Sequence, residues 1–98
     1  MDEIRLNQEA AKGARAKALL ENELLVGAFA ELESAYIERW RLTHIDDDKG
    51  REKLFIAVNV VGKVRDHLSA IVSNGSMAAK QLDDLAKQAE RKKILGVL

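Results

Sequence analysis

The stretch Leu54-Phe55-Ile56-Ala57-Val58-Asn59-Val60-Val61-Gly62-Lys63-Val64-Arg65-Asp66-His67-Leu68-Ser69-Ala70-Ile71-Val72 decides the fold. Apolar residues recur at Leu54, Ala57, Val58, Val61, Val64, Leu68, Ile71 and Val72. Spacings of three and four mark one face of an α-helix. The branched residues from Leu54 to Val61 also suit a strand, but the helical period runs on to Val72, too far for an ordinary strand.

Working outward, Leu25, Phe29, Leu32, Tyr36 and Trp40 stack on one face of a second helix, predicted over about residues 23–44. Leu24, Val26, Ala28, Ala35 and Leu42 widen its apolar surface, and Glu31, Glu33, Glu38 and Arg39 supply its solvated side. Asp46-Asp47-Asp48 joins the two helices. One of these carboxylates caps the downstream helix, and all three suit its positive N-terminal end. Asn74-Gly75 predicts the stop of that helix, and Ser76 a cap for a fourth with Met77, Leu82, Leu85, Ala86 and Ala89 along a narrow apolar edge. Upstream, residues 3–21 are charged and alanine-rich, with a thin stripe of Ile4, Ala11, Ala18, Leu19 and Leu20. Asn22 reads either as an N-cap or as a polar position in one continuous helix.

The expected fold is therefore all-α and a single domain over residues 1–98. A long antiparallel helical hairpin spans about 23–73, flanked by an N-terminal helix (about 3–21) and a C-terminal helix (about 76–93). Proline is absent, which favours uninterrupted helices. Gly62 lies inside the third helix, where glycine costs about 1 kcal/mol relative to alanine; a close approach by another helix would explain it.

The composition narrows the function. With no cysteine, disulfides, thiolate metal sites and cysteine nucleophiles are excluded. Sixteen Lys plus Arg balance sixteen Asp plus Glu, against strong non-specific DNA binding by the whole surface. No signal peptide is visible and no apolar run approaches the roughly 20 residues that span a bilayer. Asn74-Gly75-Ser76 matches a glycosylation sequon but reads as a turn. His44 with Asp46 invites a metal, yet a helix end running into a capping turn explains both. Asp46, Asp48 and Gly50 place the glycine wrongly for a calcium loop, and the distal glutamate is missing. His67 reads as a surface residue. No nucleophile–base pair, carboxylate dyad or phosphate-cradling loop emerges, so the chain is expected to be no enzyme and to carry no cofactor.

Two groups remain as candidates for binding. Lys12, Arg15 and Lys17 could track nucleic-acid phosphates, although Glu9 and Glu21 flank them. Arg39-Trp40-Arg41 offers a stacking ring, but Trp40 continues the Phe29–Tyr36 face and is expected in the core. Arg91-Lys92-Lys93 complements a helix C-terminus. The apolar tail residues Ile94, Leu95, Val97 and Leu98 are the candidate partner-docking segment.

Leu19-Leu20-Glu21-Asn22-Glu23, Phe29, Leu32, Tyr36-Ile37, Trp40-Arg41, Gly50-Arg51-Glu52-Lys53-Leu54, Lys63-Val64, His67-Leu68, Gly75 and Gln81-Leu82 form a pattern over about residues 16–85. It resembles small helical proteins of tailed phages and prophages. The resemblance implies a packaging or virion gene neighbourhood and a coarse likeness to the oligomerising hairpin of small terminase subunits. An N-terminal helix-turn-helix, common in many of those subunits, is not evident. The expectation is a non-enzymatic homo-oligomer serving DNA packaging or virion assembly, in the cytoplasm of an infected bacterium or in the virion. The alternative is a small phage inhibitor or adaptor that binds a host or phage protein.

Overall fold

The computed structural model describes residues 2–94 and 96. Three helices follow in order: α1 (Glu3–Leu20), α2 (Glu23–Leu42) and α3 (Asp48–Ile94). No strand occurs among the described residues.

Each helix begins on a side-chain cap. The Asp2 carboxylate accepts from the backbone N–H of Ile4 at 3.0 Å and of Arg5 at 3.3 Å, opening α1. Asn22 has extended backbone (φ −75°, ψ 114°), and its Oδ1 accepts from the Leu25 N–H at 3.0 Å. Asn22 is thus the N-cap of α2, and α1 and α2 are separate helices. Thr43 ends α2: its hydroxyl donates to the Trp40 carbonyl at 2.6 Å and its own backbone is extended. Within the aspartate run, Asp47 is the cap, accepting from the Gly50 N–H at 3.0 Å.

At 47 residues, α3 is about 70 Å long. It runs straight through Asn74-Gly75, where the sequence predicts a stop, so the expected separate helix at 76–93 is the second half of α3. A C-terminal glycine works by adopting positive φ, and among the described residues only Gly96 does so. Gly75 is instead buried inside the helix. The sequon likewise lies within a helix, and Ser76 caps nothing.

α1 and α2 both pack on α3, α1 the more extensively, and touch each other little. Thr43 and Trp40, late in α2, meet Arg51 early in α3, while Phe29 and Glu33 meet Arg65 further along. α1 lies on the other half, with Gly13 against Gly75.

The buried face of α1 is Leu6, Gly13 and Ala16, which corrects the expected stripe: Ile4, Ala11, Ala18 and Leu19 are exposed. A Cβ on Gly13 would stand 2.6 Å from the Gly75 Cα, and one on Gly75 would stand 2.6 Å from the Gly13 Cα. Backbones this close exclude large side chains, so the α1–α3 seam is made of small residues. Both sides carry the same pattern, Gly13-x-x-Ala16 and Gly75-x-x-Ala78.

The molecule is a rod of 76 × 25 × 16 Å with a radius of gyration of 21.6 Å. A compact domain of this length has about 13 Å. Its core is correspondingly thin. Among the described residues the buried apolar side chains are Leu6, Ala16 and Ala78.

Candidate interaction surface

α2 meets α3 along Leu25, Phe29, Glu33 and Tyr36, all half-buried. The Glu33 carboxylate accepts from the Arg65 guanidinium at 2.9 Å, and the same guanidinium lies 5.6 Å from the Phe29 ring centroid. This contact marks the level at which α2 meets α3. Nearer the turn, Arg51 lies 4.9 Å from the Trp40 ring centroid and donates to the Thr43 hydroxyl at 3.3 Å.

Two residues expected on the buried face of α2 are exposed instead, Leu32 by 45 % and Trp40 by 40 %. α2 has only one helix to pack against, so its apolar arc is wider than the seam that covers it. Trp40 therefore lines an open groove with Ile37, Leu54, Phe55 and Val58.

The opposite side of the α2–α3 pair carries a second apolar strip. Ile56, Val60 and Val64 follow at i, i+4 and i+8 on α3, each about half exposed. Leu32 of α2 lies about level with Val64: Arg65 reaches both Phe29 and Glu33, and because the contacts run in opposite order, one step forward on α2 from between those two matches one step back on α3. Exposed charges of both signs surround this strip: Glu52, Lys53, Lys63 and His67 on α3, and Glu31, Glu38 and Arg39 on α2.

Lys12, Arg15 and Lys17 are exposed but do not converge. At about 100° per residue, Arg15 points away from α3, while Lys12 and Lys17 flank the α1–α3 seam on opposite sides. Lys17 approaches Glu21 at 3.9 Å and borders the shallow pocket beside Gly13 and Gly75. Of the tail, Ile94 ends α3 and is 77 % exposed; Leu95, Val97 and Leu98 lie outside the described residues.

His44 sits in the α2–α3 turn, where its Nδ1 accepts from the Asp46 backbone N–H at 3.3 Å. Among the described residues no three His, Asp or Glu side chains gather as metal ligands. Near the far end of α3, a hydrogen bond from Lys87 to Asp83, assisted by their charges, raises the lysine above its ordinary value. Among the described residues no helix is long and apolar enough to cross a membrane.

Compared with protein-family models, curated proteins and solved structures, the chain matches none.

The apolar strip and groove on the two sides of the α2–α3 pair are missed by a reading that assigns every periodic apolar residue to one core. The signal was present: α2 has apolar residues around more than half its circumference. A helix that apolar needs more than one neighbour.

Proposed function

We propose that this chain works through helical self-assembly, as a non-enzymatic protein of the phage-assembly type, with DNA packaging or virion assembly as its setting. Its architecture reads as a long antiparallel hairpin: α3 is one arm, and α1 and α2 laid end to end are the other. The opposed order of the α2–α3 contacts supports that arrangement.

One observation carries the assembly reading, the mismatch between core and surface. The chain exposes 7917 Å², about 2300 Å² more than a compact monomer of 10.9 kDa. The buried apolar side chains among the described residues, Leu6, Ala16 and Ala78, do little to offset the conformational entropy of ordering so long a rod. Joining copies supplies the missing core.

A self-assembling chain gains stability with concentration. Its thermal midpoint is expected to rise between 5 and 500 µM protein, on the order of a hundredfold span chosen to resolve that mass-action effect. A midpoint independent of concentration defeats the assembly reading. The packaging version adds DNA: binding of a labelled duplex at low salt, lost as salt rises, favours it, and no binding at low salt removes it.

A second reading, a small adaptor for a host or phage protein, is favoured by the Trp40–Phe55 groove and exposed Ile94. It predicts a monomer that captures one defined protein, with capture lost on deleting residues 94–98.

A further inference from the structure

Resting on the packaging version of that reading, we infer that the unpartnered end of α3 is a DNA contact: residues 86–94 lie in the major groove of a duplex, with Arg91, Lys92 and Lys93 on its phosphates.

The first observation is that this segment has no neighbour. All of residues 86–94 are exposed, Ala86 and Ala89 included. A helix packed on another covers a residue every three or four positions. α1 runs antiparallel to α3, with Gly13 against Ile71 and Glu9 against Gly75. Asp2, just before α1, borders Gln81. Past that level α3 continues as a single helix.

The second is charge. Residues 86–94 hold four cations, Lys87, Arg91, Lys92 and Lys93, and one anion, Glu90, a net +3 that leaves −3 on the rest of the chain. Lys87 is engaged with Asp83 at 3.0 Å. Among the described residues no ion pair engages Arg91, Lys92 or Lys93. Asp84 lies about 10 Å back along the axis from Arg91, near the screening length of 0.1 M salt. The helix dipole favours cations at this end, and their charge still faces solvent.

The third is arrangement, which selects the partner. At about 100° per residue, Arg91 and Lys93 point to nearly opposite sides, with Lys92 between them. A helix with its side chains is about 10–12 Å across, and the major groove of B-DNA is about 12 Å wide. Cations on opposite sides of such a helix reach phosphates on both walls. Elsewhere α1 or α2 lies beside α3 and doubles the width. A helix lying on an anionic membrane needs an apolar face opposite its basic one. Here Ala86, Ala89 and Ile94 have Glu90 and Lys93 set among them. The deep, narrow major groove of duplex RNA does not admit side chains.

The full-length chain and two triple variants are titrated with a labelled duplex of about 20 base pairs, between about 50 and 200 mM salt. Arg91→Gln/Lys92→Gln/Lys93→Gln removes three cations from the α3 end. Lys12→Gln/Arg15→Gln/Lys17→Gln removes three from α1. Glutamine is a good helix former, so both keep their helices. Three neutralised phosphates predict that wild-type binding weakens at least about fortyfold over that range. The α3 variant is expected to lose that much of the salt dependence, with at least about tenfold of the affinity at low salt. The α1 variant keeps both.

A wild-type chain that binds no duplex at low salt overturns the packaging version and this contact together. If that chain sediments with phosphatidylserine vesicles instead, the end of α3 belongs to a lipid surface. Wild-type binding whose salt dependence is unchanged in the α3 variant, or falls as far in the α1 variant, overturns the contact alone. So does an RNA duplex of the same sequence bound as tightly as the DNA.

Discussion

The Gly13 and Gly75 Cα atoms mark the closest approach of α1 to α3, each standing where the other's side chain would begin. This contact explains both why α1 holds to α3 with so little apolar surface and why a glycine at 75 fails to end a helix.

Alanine at either position must push two backbones apart. Gly13→Ala and Gly75→Ala are each expected to destabilise by about 1–3 kcal/mol, the usual cost of overpacking. Gly62 has nothing within 4 Å of a built Cβ, so no helix of this chain approaches it. Gly62→Ala is expected to stabilise by up to about 1 kcal/mol through helix propensity. Urea denaturation at one fixed protein concentration compares all three, and a stabilising Gly75→Ala would contradict the crossing.

The separation of α1 from α2 depends on Asn22, whose side chain caps Leu25. Asn22→Ala is expected to lose about 1 kcal/mol. Amide exchange at residues 23–26 reports it, and unchanged protection there would show that the cap is dispensable.

Much of this architecture is legible in the sequence, and the exceptions share a cause. The period from Leu54 to Val72 and the aspartate cap rest on local chemistry, and local chemistry settles them; at Asn22 the sequence leaves a cap and a continuous helix both open, and the extended backbone there decides for the cap. Asn74-Gly75 misleads because a glycine's role depends on its backbone angle, and here a partner helix 62 positions away in the chain holds it helical. The α1 face misleads because large residues at Ile4 and Leu19 outweigh Gly13 and Ala16 in any hydropathy reading, although the small pair makes the contact. The repeated Gly-x-x-Ala pattern was the available clue. Lys12, Arg15 and Lys17 are near in sequence but spread around the helix, which a count of neighbouring charges does not register.

The Glu33–Arg65 pair aligns α2 on α3, yet both side chains reach solvent, 27 % and 39 % exposed. Its energetic coupling is therefore expected to be small, about 0.5 kcal/mol in a double-mutant cycle with Glu33→Ala and Arg65→Ala. A coupling near zero would show that the apolar seam alone sets the register.

Lys87 is stabilised in its charged form by Asp83. A folded value above the ordinary 10.5 means the pair contributes fully below pH 10.5 and is lost as pH rises through the folded value. The Lys87 side-chain resonance is expected to titrate above 10.5 in the folded chain, and a midpoint at or below that value would contradict the pairing.

The central claim is that this rod completes its core with copies of itself. Light scattering coupled to size exclusion, at two protein concentrations, tests it most directly. The expected result is a discrete assembly of at least twice the 10.9 kDa chain mass, held or growing at the higher concentration. A mass of 10.9 kDa at both concentrations would contradict the claim.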